Sequence, residues 1–402
     1  RDVAPSRGLG DVYKRQVNMI VEHYSVDQGL PNNTVNCTLK DRDGFIWFGT
    51  WYGLCCFDGV KFKTFNKQEH DSDVPPRKIQ RIVEDKNGYI WVKTIDRKLY
   101  VFNKVTECFH AVYDDMKNYS ENIQVIKLQN TAEGDVLLLT KDKNLLLAGV
   151  DEKGQVTIKI LFDSRDEINK HDYTLKHHVL CETEEYISWI GTDYKVSAVH
   201  KGAELASRPA DFITSKINSG DKDSFTSFFE DGRKVWVGDR AGIFYSIDVR
   251  TGLVNRYVLS EIKGAISNLL VTPAGYVYLS VAGQGTYEYD LAERRLQKIN
   301  TEMNDAMVTH AFIDQYDKIW FHENEKALIY YDPLNHTAKR FPFTMFGKIT
   351  TLYSEDAGER GLFFLSPAGE AWLFDREHAE MVYINKFCLL YTSPSPRDGA
   401  TS

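Results

Sequence analysis

No CxxC pair occurs in this sequence, and six cysteines scattered over 402 residues offer no spacing for a structural zinc site. Positive charge is also in short supply. Lys and Arg number 49 against 57 Asp and Glu, for a net charge of −8. A phosphate backbone needs a basic surface, so no nucleic-acid contact is expected. No stretch sustains a 3.6-residue apolar period, which argues against a helical solenoid. Neither a signal peptide nor a membrane helix is visible, and a segment carrying either is expected outside this piece of the gene.

What is present is a repeat. A glycine turn leads into an apolar strand eight times, with a large residue after each turn at Trp47, Trp91, Leu137, Trp189, Trp236, Tyr278, Trp320 and Phe363. The gaps run from 42 to 52 residues. A period of this length marks one supersecondary unit stacked many times. The clearest copy, KDRDGFIWFGTWYGLCCFDG (Lys40 to Gly59), reads as four short strands: Val35 to Leu39, Phe45 to Thr50, Leu54 to Phe57 and Phe62 to Phe65. We denote them A to D. Asp-Gly turns between apolar runs signal hairpins, because glycine accepts positive φ without steric cost. Strand B is apolar at Phe45, Ile46, Trp47 and Phe48, so burial on both faces is expected, as for a blade between blades. Copies three and eight are degenerate.

The expected fold is all-β: a β-propeller with seven blades of four antiparallel strands over residues 17–345. An eighth copy, 346–387, is expected to open a second propeller or to close the ring. The ends stand apart. Asp11 to Gln16 (DVYKRQ) can be encoded by GAT GTG TAT AAG AGA CAG. The reverse complement of that string yields Cys388-Leu389-Leu390-Tyr391-Thr392 and the start of Ser393. Residues 1–16 and 388–402 are therefore read as a non-native, adapter-derived head and tail, excluded from fold reasoning. Without them the chain carries 44 positive and 54 negative groups, net −10. Cys37, Cys55, Cys56, Cys108 and Cys181 remain, and are expected to be free core thiols unless an oxidising compartment pairs them. Cys55 and Cys56, adjacent on one strand, should point to opposite faces.

The stretch from Tyr24, YSVDQGLPNNTVNCTLKDRDGFIWFGTWYGLCCFDGVKFKTF, resembles the two-component regulator propeller repeat. That repeat has a consensus near GLPxNxVxxIxxDxxGxIWxGTxxGLxxFDxxxFxxF. The match includes Gly29, Leu30, Pro31, Asn33, Val35, Asp41, Gly44, Ile46, Trp47, Gly49, Thr50, Gly53, Leu54, Phe57, Asp58, Phe62 and Phe65, and recurs more weakly downstream. Two departures, the lost tryptophan of copy three and Lys93 in place of the WxGT glycine of copy two, are expected to distort those blades. The resemblance implies the periplasmic sensor region of hybrid two-component systems of gut Bacteroidota, part of an inner-membrane protein. It implies two consecutive propellers, a membrane helix and a histidine kinase in the parent chain. It further implies an oligosaccharide ligand, a homodimeric receptor, no cofactor and no catalysis by this portion.

In a four-stranded blade the B–C turns share one end with the D-to-A connections. The turn residues expected to bind ligand are Trp51, Tyr52, Asp96, Arg97, Lys143, Tyr194, Arg240, Gln284, Asn324 and Lys326. Aromatic faces stack on sugar rings, and charged or amide groups hydrogen-bond hydroxyls or pair with uronates. Solvated turns are polar anyway, so any one charged position has a plain reading beside the functional one. Trp51-Tyr52 is less ordinary, because two large aromatics at a turn tip are costly to expose. His177-His178 alternate across a strand and cannot share one metal. His322-Glu323 lacks the second group that acid–base work needs. Arg42 and Lys86 occupy the position where a sialidase Asp-box requires aspartate. Two alternatives stay open. A propeller enzyme, such as a streptogramin-lyase-like or glycan-cleaving lyase, predicts His and carboxylates converging on one face. A protein-interaction scaffold predicts no small ligand.

Overall fold

The computed structural model describes residues 22, 24–65, 75–117, 124–141, 144–162, 180–182, 185–190, 195–202, 212–216, 225–299, 308–323, 326–346, 353–356, 361–366 and 369–386. The two segments read as adapter-derived lie outside these residues. Among the described residues the structure is all-β but for a 3-10 turn at each of Val26–Gln28 and Phe343–Phe346 and one helical turn, Tyr113–Met116. The strands form eight four-stranded antiparallel sheets, each built from four consecutive strands in chain order. Sheet 1 contains Val35–Lys40, Ile46–Thr50, Gly53–Phe57 and Phe62–Phe65, within one residue of the strands read from copy one.

One hydrogen-bonded staple explains the repeat motif. In sheet 1 the Oδ1 of buried Asp41 accepts the Asp43 and Phe45 N–H groups at 3.0 and 2.9 Å, which closes the A–B turn. Its other oxygen accepts the Trp47 indole N–H at 2.8 Å. The same indole-to-carboxylate bond joins Trp91 to Asp85, Trp236 to Asp231 and Trp320 to Asp314. A buried tryptophan needs a partner for its N–H, and the turn aspartate supplies it. Strand B is thus pinned to the turn that starts it. The C–D turns are capped likewise: Asp58 accepts from Val60 and Lys61, and Asp290 from Ala292 and Glu293.

Apolar clusters join each sheet to the next along the chain. Trp47 packs with Ile79, Val92 and Phe102 of sheet 2, and Trp91 with Val125, Val136 and Leu146 of sheet 3. Sheets 3 to 8 continue in the same way. Gly49 marks the closest approach. A Cβ there would lie 2.4 Å from Cys37 Sγ and 2.5 Å from Ile79 Cγ2, so strand B could not sit against the next sheet's first strand.

Three expectations need correcting. Strand B of sheet 1 is not covered on both faces: Phe45 is 42 % and Ile46 39 % exposed. Among the described residues only sheet 2 forms an apolar cluster with sheet 1. In sheets 2 and 3, which have a neighbour on each side, strand B (Ile90–Thr94, Val136–Thr140) is buried at every position. The distortions expected at Lys93 and Leu137 are absent. Lys93 is buried with its amine on the Gln80 side-chain oxygen, and the register shift beside it, between Ile79 and Arg81, is one that sheets 1, 5, 6 and 7 carry at the same place. Leu137 is buried and regularly paired.

The cysteines Cys37, Cys55, Cys56 and Cys108 are free. Cys56 faces sheet 2 opposite Trp47, while Cys55 lies opposite Phe48 on the other face.

Candidate functional site

At the B–C end, backbone hydrogen bonds run from turn to turn. Lys78 N–H donates to Trp51 O, Ile95 N–H to Lys78 O, Val125 N–H to Arg97 O, and Lys141 N–H to Gln124 O. The turns of sheets 1 to 3 therefore sit side by side. Trp51 is half-exposed with the Lys78 ammonium 5.3 Å from its ring centroid, and Tyr52 is exposed. Asp96 accepts the Thr94 hydroxyl and lies 3.6 Å from Lys98 Nζ. Arg97, at φ 67°, donates to Gln124 Oε1 at 3.4 Å. Arg240 is exposed at the tip of a turn that Asp239 caps.

Gln284 is occupied at both ends of its amide. Its Oε1 accepts Lys263 N–H at 2.7 Å and its Nε2 donates to Glu261 O at 3.1 Å. Lys326 lies 3.8 Å from Glu323, a buried carboxylate that also pairs with Arg340 at 2.9 Å. Lys143, Tyr194 and Asn324 fall outside the described residues. The B–C end thus sets the turns of sheets 1 to 3 side by side, with Trp51, Tyr52, Asp96, Arg97, Arg240 and Lys326 exposed there among the described residues.

A concave site lies at the other end of the blades. A cleft of about 400 Å³ opens between sheets 6 and 7, where their A–B turns meet the C–D turn of sheet 7. Sheet 6 lacks the staple: Thr272 stands at the aspartate position and Tyr278 at the tryptophan position. Thr272 Oγ1 still accepts the Tyr276 N–H at 3.2 Å and closes the turn. The Tyr278 hydroxyl is free to turn elsewhere. It donates to Glu288 Oε2 at 2.7 Å.

Glu288 is 4 % exposed on strand C, Gly285–Asp290, directly opposite Tyr278. Gln297 Nε2 donates to its other oxygen at 2.6 Å, and the Tyr331 hydroxyl lies 3.4 Å from Oε2 and 3.1 Å from His336 Nδ1. Burial, reinforced by this carboxylate, raises the pKa of both phenols, so they remain donors across the neutral range. The walls include Pro273, Tyr276, Tyr316 and Leu334. Arg295 and Asp317 stand exposed at the rim, with no ion pair or side-chain hydrogen bond among the described residues.

The reading from sequence missed this cleft because no motif marks it. A signal existed: Glu288 is the one charged residue paired opposite the large strand-B residue, the other seven being Cys56, Val101, Leu147, Ser197, Ser246, Tyr330 and Leu373. Two acidic groupings resemble metal sites, Asp41/Asp43/Glu84 and Asp375/Glu377/His378. In the first, Lys104 Nζ already sits 2.7 to 3.0 Å from all three carboxylates.

The sheets, the staple and the repeat define a propeller-type repeat protein. Residues 29–52 match the family model described as "Two component regulator propeller". Over 84 residues the chain is 33 % identical to Histidine kinase P4 of Formosa agariphila, which covers 19 % of this chain and 6 % of that protein. Two extracellular domains of hybrid two-component systems from B. thetaiotaomicron are similar. One is 13 % identical over 90 % of this chain and 62 % of its own, with a TM-score of 0.40. The other is 17 % identical over 92 % of this chain and 49 % of its own, with a TM-score of 0.36. Virginiamycin B lyase from Staphylococcus aureus is 10 % identical over 75 % of this chain and 94 % of its own, with a TM-score of 0.42. The chain spans less than two thirds of the Bacteroides domains and a small part of the kinase. No described helix is long and apolar enough to cross a membrane.

Proposed function

We propose that this chain is the ligand-sensing region of a hybrid two-component sensor histidine kinase. It would lie in the periplasm as part of an inner-membrane protein, recognise oligosaccharides and signal to polysaccharide-utilisation genes. The observation that carries this reading is the family match over residues 29–52, and the kinase relative supports it. In this reading seven sheets form a ring, the eighth begins a second propeller, and two receptor chains pair. Work is done by differential affinity. A ligand that binds one arrangement of paired sensor domains better than another shifts the population, and the membrane helix transmits the shift.

Thermal-shift measurement against a panel of plant, host and algal oligosaccharides tests the proposal. A sugar present at a hundredfold excess over its Kd stabilises a folded domain by about 2.7 kcal/mol. A rise in Tm with at least one oligosaccharide is expected. No shift with any of them would remove the carbohydrate assignment, and turnover of a glycan would replace it with the lyase alternative.

A further inference from the structure

We propose that the cleft between sheets 6 and 7 binds a single hydroxylated sugar ring, entered from the end that carries the A–B and C–D turns. This rests on the sensor reading and adds a place and a chemistry to it. The floor is Glu288, a buried carboxylate with three neutral donors and, among the described residues, no cation against it. A carboxylate has about four acceptor positions, so one remains for a ligand hydroxyl. Burying such a group without a cation is costly unless donors satisfy it. Seven sheets place an uncharged residue here, so the fold itself does not require the charge.

The walls suit a ring. Tyr316 is 45 % exposed, and the Arg376 guanidinium sits 4.5 Å from its ring centroid. That contact braces the tyrosine as a fixed aromatic wall, and such walls take up the C–H faces of sugars. Arg295 and Asp317, exposed at the rim and without a side-chain partner among the described residues, offer a donor and an acceptor to the outer hydroxyls. A volume of about 400 Å³ is near the lower end of ligand pockets, roughly 300–1,000 Å³. It suits one ring with its substituents and not an extended chain, so the rest of an oligosaccharide would lie outside.

The test is saturation-transfer NMR on the whole chain with the methyl glycosides of glucose, galactose, mannose, xylose and N-acetylglucosamine. Tetramethylammonium is included as a cationic probe. Glu288→Gln, Tyr316→Ala and Trp51→Ala are compared with the unaltered chain, and circular dichroism checks their folding. At least one glycoside should bind. Its Kd should weaken about tenfold or more in Glu288→Gln, which loses a charge-assisted acceptor, and in Tyr316→Ala, while Trp51→Ala leaves it unchanged. If Glu288→Gln fails to fold, the exposed Tyr316→Ala decides. Loss of binding in Trp51→Ala alone would overturn the cleft and keep the sensor reading. So would an oligosaccharide that raises Tm while no methyl glycoside binds. Transfer to tetramethylammonium without any glycoside would make the cleft a cation site and overturn the proposal. No response to any sugar in either assay would sink both readings.

Discussion

Sheets 2 and 6 are the same repeat solved in two ways. In sheet 2, Asp85 accepts two turn N–H groups and the Trp91 indole, and the aromatic ring is fully buried against sheet 3. In sheet 6, Thr272 holds the turn alone, and the tyrosine in the tryptophan's place spends its hydroxyl on Glu288. The first arrangement satisfies its polar groups locally and leaves nothing for a ligand. The second carries a buried acid into the gap between blades, and a cleft lies above it. Where a repeat departs from its own pattern, the freed hydrogen-bonding capacity is available for function.

The largest effect should come from the stapled sheet. Trp91→Ala removes a fully buried indole and should cost about 3–5 kcal/mol, read from urea denaturation. A loss below 1 kcal/mol would mean the tryptophan does not pin the blade. Next, Asp85→Ala strips three donors of their acceptor and should cost about 1–3 kcal/mol. Thr272→Ala removes only a hydroxyl that accepts the Tyr276 N–H and donates weakly to the Tyr276 carbonyl, and should cost about 1 kcal/mol or less. Equal costs would erase the distinction between the sheets.

The staple also predicts acid sensitivity. Burial raises the Asp41 pKa, but the Trp47 indole, Lys104 and the Phe45 N–H outweigh it and hold it below the usual carboxylate value. A depressed folded pKa contributes stability above the unfolded value and loses it as pH falls through the folded one. Asp41 should therefore stabilise the fold fully at neutral pH and progressively less below about pH 4. Asp41→Asn should be less stable at pH 7 and flatter on the acid limb of a Tm-against-pH curve. A parallel downward shift at all pH values would contradict this.

The smallest effect concerns the thiols. Burial pushes Cys55 up to about 12, and Cys37 to about 11. At pH 8 both should react with a disulfide reagent only as fast as the chain opens, and denaturant should release them. Immediate reaction in the folded chain would show that sheet 1 is more open than described.

Much of this fold was legible because its determinants are local. Asp-Gly turns, Trp47 and the apolar runs placed the strands of sheet 1 nearly to the residue. Burial of strand B on both faces was not legible, because it depends on what lies beside sheet 1, and local pattern says nothing of that. The site was less legible still. Turn tips draw attention because polar residues there are free of the ladder, yet Gln284 is consumed by backbone. Glu288 sits mid-strand, and its meaning appears only when strand register sets it against Tyr278.

The most direct test rebuilds sheet 6 as sheet 2. The triple variant Thr272→Asp, Tyr278→Trp, Glu288→Val transplants Asp85, Trp91 and Val101 onto the cleft. The affinity of the glycoside found for the unaltered chain is then measured by titration. The account predicts that binding disappears while Tm holds or rises. Undiminished affinity in a folded triple variant would contradict it.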